Sequence, residues 1–282
     1  MLLMDIVNIT IAIYVKTTCA EMRIIMNHMD IKMIVTDLDG TLLKDDKSIS
    51  TYTENIIKQL RNRGILFVVA TARPIRAVKT FLPQINYDAA IFHNGAVVMD
   101  HETLLKSLGV RNPRKIVNAI LDDNPDYKIA VESNDVMYSN FNAEEIWPGI
   151  DYIKTSDFKE LEDSYAEKVI VDAHSTEEMN KLMKYMLDDL YMLPSENRII
   201  TIHNIQSTKM NGIKTLADHY NISPSQIVSF GDDYNDIDML GSCGIGVAVE
   251  NALPEVKKAA KEITESNEQD GVAKWLERFL GL

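Results

Sequence analysis

The stretch Lys32 to Leu43, KMIVTDLDGTLL, constrains this chain more than any other. Met33 to Thr36 is a short β-rich run, and it stops abruptly at Asp37-Leu38-Asp39-Gly40-Thr41. Such a run reads as a buried strand that delivers carboxylates at its carboxyl end. In open α/β sheets that end is where ligands bind. Two closely spaced acids, with Gly40 free to turn the backbone, suit a Mg²⁺ site. They equally suit a carboxylate nucleophile beside an acid/base carboxylate. Asp-x-Asp-Gly also occurs in calcium loops and plain turns, so the remainder of the chain has to decide.

The same kind of run recurs. Ile65 to Ala70 is continuously apolar and ends in Thr71-Ala72-Arg73-Pro74. Ala89 to Phe92 ends in His93-Asn94-Gly95-Ala96, and Ile227 to Phe230 in Gly231-Asp232-Asp233-Tyr234-Asn235-Asp236. Helices are expected between the first three runs. One covers Ser50 to Arg63, where Thr51 and Glu54 have capping-box spacing, and one runs from Pro74 to about Leu82. Strand alternating with helix indicates a parallel sheet with right-handed crossovers.

After a hairpin over Val97 to Leu105 the pattern changes. Helices near Pro113–Asp123 and Thr176–Asp189 are separated by strands at Lys128–Glu132, Val136–Asn140, Lys168–Asp172 and Arg198–His203. Their alternation suits a sheet with one face covered and one open. Met179, Met183 and Met186 have helical spacing and read as core packing. Asn142 to Asp163 carries no assignable pattern. The parallel pattern then resumes with a helix over Lys209 to Tyr220, one starting at Ile237, a strand over Ile245–Val249 and a helix opened by Pro254. A short strand at Ile263-Thr264 and an amphipathic helix over Gly271 to Leu280 close the chain. The expected fold class is α/β: a Rossmann-like parallel-sheet core at 29–107 and 204–282, with an α+β domain inserted at 108–203.

Residues 1–28 read as an N-terminal extension. Ile6 to Val15 is too short to span a membrane, and no basic residue precedes it as a secretory signal requires. Folding is expected to begin near Met29, with the preceding segment an added strand or helix, a disordered stretch, or the product of a mis-assigned start. The formal net charge of −13 argues against nonspecific binding to nucleic acid or to an anionic membrane. It leaves room for a small phosphorylated substrate received by a metal or by local positive charge. Cys19 and Cys243 form no ligand or disulfide spacing, which favours a reducing, cytoplasmic setting.

Four segments distant in sequence therefore converge on one end of one sheet. They bring Asp37 and Asp39; Thr71; Asn94 and Gly95; and Asp232, Asp233 and Asp236, with Lys209 opening the helix that returns from the insert. Clustered carboxylates repel one another unless a cation sits among them, so a bound Mg²⁺ is expected. With the metal, Lys209, Thr71 and backbone N–H groups, such a site suits a phosphoryl group.

Asp37-Leu38-Asp39-Gly40-Thr41, Thr71, Lys209 and the run Gly231 to Asp236 together resemble the four motifs of the haloacid-dehalogenase-like hydrolases. The insert between the second and third motifs resembles the cap of the Cof-type subfamily, which includes sugar phosphatases. The resemblance implies that Asp37 attacks phosphorus and forms an aspartyl-phosphate, and that Asp39 serves as acid and then base. It implies that Thr71 and Lys209 hold phosphoryl oxygens, with Thr41, Asn94, Gly95 and Asn235 lining the substrate side. Mg²⁺ would be held by Asp37, Asp39 through its backbone carbonyl, and Asp232, with Asn235 and Asp236 close by. The implied activity is Mg²⁺-dependent hydrolysis of a small phosphorylated metabolite, such as a sugar phosphate, FMN or pyridoxal phosphate. Two alternatives stay open: a phosphomutase using the same intermediate, and a non-catalytic phospho-switch or ligand sensor. Lys209 is followed by Met210-Asn211-Gly212, where the family commonly has Gly directly after the Lys, so Lys214 is a second candidate.

Overall fold

The computed structural model describes residues 30–81, 85–161, 165–173, 175–195 and 198–281. The N-terminal extension, Leu82 and Asp163 lie outside the described residues. In chain order the first part contains β1 (Met33–Thr36), α1 (Thr51–Asn62), β2 (Leu66–Ala70), α2 (Ile75–Phe81), β3 (Ala89–Phe92), β4 (Val97–Asp100) and β5 (Thr103–Ser107). The insert contains β6 (Val110–Arg111), α3 (Pro113–Asp123), β7 (Ile129–Ser133), β8 (Val136–Ser139), β9 (Ile153–Lys154), β10 (Tyr165–Ala166), β11 (Lys168–Asp172), α4 (Thr176–Leu182), β12 (Leu190–Ser195) and β13 (Ile199–Asn204). The chain then returns through α5 (Lys209–Tyr220), β14 (Ile227–Gly231), α6 (Ile237–Ser242), β15 (Ile245–Val249), α7 (Pro254–Ala259), β16 (Glu262–Thr264) and α8 (Gly271–Leu280).

The core sheet has the order β16-β15-β14-β1-β2-β3-β4-β5. It is parallel from β16 to β3 and closes with the antiparallel β3-β4-β5 meander. Its strands read as unbroken apolar runs because both faces are covered. Ile34 of β1 joins the cluster under α1 and α8, with Leu60, Trp275 and Leu276. Its neighbours Met33 and Val35 join the cluster under α5, with Met210, Ile213 and Leu216. The two acid-bearing strands β1 and β14 lie side by side, and the Asp37 N–H donates to the Phe230 carbonyl at 3.0 Å.

The insert forms a six-stranded sheet, β12-β13-β11-β7-β8-β9, antiparallel except for the β8–β9 pair. Helices α3 and α4 pack on one face through Ile116, Ile120 and Leu182. The expectation of an open second face is corrected here. Half of that face, at Ala130, Met137, Ile170 and Ile199, is covered by Phe141 and, from the stretch that carried no readable pattern, by Ala143 and the partly buried Trp147. The other half turns toward the core.

Three local expectations also change. Ser50, not Thr51, caps α1, because its side chain accepts from the Thr53 N–H at 3.1 Å and bonds Asp270 at 2.7 Å. The helix expected over Thr176–Asp189 stops at Leu182, and Leu190–Ser195 is instead the edge strand β12, paired with β13. Pro194 is tolerated there because an edge strand does not need every N–H. Met179 and Met186 pack against the insert core, whereas Met183 is exposed.

Gly212 sets how close α5 lies to the sheet: a Cβ there would stand 2.6 Å from Cγ2 of the buried Ile91. In an exposed helix, Gly→Ala stabilises by up to about 1 kcal/mol. Gly212→Ala is expected to do the opposite, lowering the urea-unfolding free energy by about 1–3 kcal/mol through overpacking.

Candidate active site

Asp37 leaves the end of β1 buried, and its Oδ1 accepts from Lys209 Nζ at 2.5 Å. The same ammonium donates to Asp236 Oδ1 at 2.7 Å. Lys209 is the first residue of α5, and Thr208 caps that helix by accepting from the Asn211 N–H, so the cap fixes where the lysine starts. Burial opposes the charge on Lys209, but Asp236 and Asp37 outweigh it and hold the ammonium above its ordinary value. Burial pushes the Asp37 carboxyl well above the usual carboxylate range against the pull of Lys209, with Asp236 and Asp232 adding repulsion. Lys214 is exposed, so the alternative lysine is set aside.

Asp236 is satisfied from two sides, because its Oδ2 also accepts from the N–H groups of Asp232 and Asp233, at 2.9 and 3.2 Å. Asp232 accepts at Oδ1 from the buried Thr41 hydroxyl at 2.7 Å. Gly40 has φ of +79°, and a Cβ there would fall 2.5 Å from an Asp232 oxygen, so the glycine makes room for that carboxylate. Burial raises Asp232 to about 7, the Thr41 hydrogen bond opposes this, and the Asp236 charge adds to it. Among the described residues, Asp37, Asp232 and Asp236 offer carboxylate oxygens within 4.8 Å of one another. A hard, all-oxygen donor set whose members repel each other fits a divalent cation such as Mg²⁺. Asp233 is exposed and only caps the turn that follows.

Asp39 points elsewhere. Arg73 grips both its oxygens, Nε and Nη2 each at 2.6 Å, and Lys47 lies at 2.8 Å. Burial works to raise the Asp39 carboxyl, but Arg73 and Lys47 prevail and hold it below the ordinary value. Arg73 is thus a partner of Asp39. Neither Arg73 nor Lys47 could be paired with Asp39 from sequence, since no spacing rule links them.

Thr71 is buried at the end of β2; its hydroxyl accepts from the Arg73 N–H at 3.1 Å, and its carbonyl accepts from the Asn94 N–H at 3.0 Å. His93, Asn94 and Gly95 form a left-handed turn with φ of 48°, 57° and 106°. A side chain at Gly95 would meet the Thr208 carbonyl at 2.1 Å, so the turn lies directly against the start of α5. Asn94 Oδ1 accepts from Asn235 Nδ2 at 2.9 Å, which joins the third strand end to the fourth. Asp37, Asp39, Thr41, Thr71, Asn94, Gly95, Lys209, Asp232, Asn235 and Asp236 therefore sit at one end of the core sheet. The insert also reaches this end: Arg76 of α2 donates to Glu132 at 2.8 and 2.9 Å, and Lys168 Nζ to the Ala72 carbonyl at 3.1 Å. These contacts were not readable, because they join elements brought together only by folding.

The sequence model of the haloacid dehalogenase-like hydrolase family matches residues 34–276. The chain is 30% identical over 266 residues to the 5-amino-6-(5-phospho-D-ribitylamino)uracil phosphatase YitU of Bacillus subtilis, covering 89% of this chain and 98% of that one. It is 28% identical to YwtE of the same organism, a phosphatase of the same name, over 88% of this chain and 98% of the relative. Among solved structures, a haloalkanoate-superfamily phosphatase from Bacteroides thetaiotaomicron superposes with a TM-score of 0.79 at 24% identity, covering 90% of this chain and 97% of that one. Among the described residues no helix is long and apolar enough to cross a membrane.

Lys209→Met leaves two carboxylates buried without their cation. It is expected to lower stability by about 3–5 kcal/mol near neutral pH. The loss should shrink at about pH 5, because protonation of the raised Asp37 carboxyl removes its charge, so the variant's stability declines as pH rises. Urea unfolding at the two pH values checks both sign and size.

Proposed function

The chain belongs to the haloacid dehalogenase-like hydrolases, in the Cof-type subfamily of phosphatases, and from that premise we propose that it hydrolyses a small phosphorylated metabolite with Mg²⁺ through an aspartyl-phosphate on Asp37. The observation that carries this reading is the buried Asp37 carboxylate, held at one oxygen by Lys209 with Asp232 beside it. A sugar phosphate, FMN or pyridoxal phosphate is the substrate range. The phosphoribityl compounds named for two relatives favour a phosphorylated sugar alcohol within it.

Asp37 Oδ2, the oxygen not facing Lys209, attacks phosphorus. The ester bond breaks, and the leaving oxygen takes a proton from the Asp39 carboxyl. Asp39 faces Arg73 and Lys47 in this structure, so that transfer requires its side chain to turn away from the pair. Asp39 then takes a proton from the water that attacks the aspartyl-phosphate, which releases phosphate and restores Asp37. Lys209, Thr71 and the backbone of the Asn94-Gly95 turn hold phosphoryl oxygens and offset their charge. Asp37, Asp232 and the Asp39 carbonyl would hold Mg²⁺ directly, with Asp236 and Asn235 around them. When bound, the ion supplies charge neutralisation for the incoming phosphate among these carboxylates. The insert, taken as residues 108–203, closes over the site and excludes water.

Phosphate release is expected from part of a panel of phosphorylated metabolites with Mg²⁺, and is abolished by EDTA. Asp37→Asn should lower the rate at least about a thousandfold while the protein stays folded. No release from any compound, with a phosphorylated Asp37 detected, would instead support a mutase or a switch. A carboxyl whose folded value is raised favours folding while protonated, and that contribution is lost as pH climbs toward about 7. Mg²⁺ binds the ionised site, so thermal melts should show a larger Mg²⁺-induced rise at about pH 8 than at about pH 5.5.

A further inference from the structure

Two asparagines hold the turn that follows β1, from 211 and 224 residues further along the chain. Asn251 Nδ2 donates to the Gly40 carbonyl at 2.7 Å, and the buried Asn267 donates from Nδ2 to the Leu43 carbonyl at 3.0 Å. The two are joined, because Asn251 Oδ1 accepts from the Asn267 N–H at 3.0 Å. A carboxamide donates from one end and accepts at the other, which this bracket needs. Turned over, Asn251 would set its oxygen against the Gly40 carbonyl and its amino group against an N–H, so its partners fix its orientation.

Each asparagine sits on a loop that is itself pinned near the candidate site. Asn251 follows β15, and two residues later the Leu253 N–H donates to the Asp232 carbonyl at 3.0 Å. This loop therefore touches both acid-bearing ends, that of β1 through Gly40 and that of β14 through Asp232. Asn267 lies in the turn between β16 and α8, and this turn also holds the stretch after Leu43. Asn267 Nδ2 donates to Asp45 Oδ1 at 3.1 Å, and Glu268 Oε1 accepts from the Asp45 N–H at 2.7 Å. Asp270 Oδ1 accepts from the hydroxyl of Ser50, the cap of α1, at 2.7 Å. Lys47, a partner of Asp39, lies on the stretch held between these points.

The bracketed turn carries two residues of the site. Asp39 immediately precedes Gly40, and Thr41 follows it with its hydroxyl on Asp232. On the inner side, Leu38, Leu42 and Leu43 are buried in the core, and the N–H groups of Thr41, Leu42 and Leu43 return to the Leu38 carbonyl. On the outer side stand the asparagines. Gly40, at φ of +79°, gives the turn its left-handed corner but is its least restrained residue, so a bond to its carbonyl limits how Asp39 and Thr41 can swing.

We propose that Asn251 and Asn267 are positioning residues for the reaction, and that they act by holding Asp39 and Thr41 in place through the carbonyls of Gly40 and Leu43. This role rests on the phosphatase reading, since Asp39 takes part in chemistry only there. A displacement of about 1 Å at reacting groups costs about a hundredfold in rate, even when the change that causes it is remote. Thr71 and Lys209, which hold the phosphoryl group in that reading, lie outside the bracket, so its loss falls on kcat and not on KM.

The test measures kcat, KM and melting temperature in the wild type, Asn251→Ala, Asn251→Asp and Asn267→Ala. The substrate is the best of the metabolite panel with Mg²⁺, p-nitrophenyl phosphate included. Asn251 is exposed, so its variants should melt within about 5 °C of the wild type. In Asn251→Ala, kcat should fall about 10- to 100-fold with KM nearly unchanged. Asn251→Asp keeps the shape but sets an acceptor against the Gly40 carbonyl, so it should lose at least as much. Asn267→Ala should lose kcat in the same way and, being buried, should also melt lower. A fall smaller than about tenfold in Asn251→Ala, a loss carried by KM, a wild-type kcat in Asn251→Asp, or an Asn251→Ala that does not fold overturns this role alone. A wild type that releases phosphate from no compound overturns the phosphatase reading, and this role with it.

Discussion

Lys209, buried between Asp37 and Asp236, is the contact on which the catalytic end depends. Removing three charges from water is expensive, and such a cluster persists only where every charge has close, well-aligned partners. Here each has them. The ammonium reaches both carboxylates, and Asp236 turns its second oxygen to the backbone N–H groups of Asp232 and Asp233. The cluster thereby ties the start of α5 to the ends of β1 and β14. Because α5 is where the chain returns from the insert, it also fixes where the insert rejoins the core.

Around that cluster, backbone sterics set distances that side-chain chemistry then uses. Gly40 leaves room for the Asp232 carboxylate, Gly95 lets the Asn94 turn lie on Thr208, and Gly212 lets α5 approach Ile91. These are three close approaches that a Cβ would block, the first two next to residues of the candidate site. Gly40 thereby lets the Asp232 carboxylate lie close to those of Asp37 and Asp236, in a chain whose net charge is already −13. A metal among these carboxylates would supply the local positive charge that an anionic substrate needs, since the protein's overall field is negative.

The insert and the core divide the remaining work. The core sheet presents the clustered carboxylates, and the inward half of the insert sheet meets this end across the seam held by Arg76, Lys168 and Tyr191. Asp39 sits at the edge of this arrangement, on Arg73 and Lys47. Asp39 is thus held in an ion pair apart from Asp37.

Much of this was legible in the residues alone. Runs buried on both faces announce themselves as uninterrupted apolar stretches, so β1, β2, β3, β14 and β15 were readable, and the polar residues that end them marked the site. Lys209 was readable because it opens a helix in the right order after the insert. Less visible were features that depend on partners far away in sequence. Thr176–Asp189 has helical spacing, yet its second half gives way to a turn and then β12, because pairing with β13 outweighs local preference. Phe141 and Trp147 carry no period because they fold back over a sheet face. The Arg73–Asp39 pair and the bonds of Asn251 and Asn267 to Gly40 and Leu43 join elements that only the folded chain makes neighbours. Sequence by itself determined the buried core strands and the residues that gather at their ends, since period and burial are local properties. Tertiary structure alone decided which charge pairs with which and which amide holds which carbonyl, since those depend on distances between segments that no local pattern encodes.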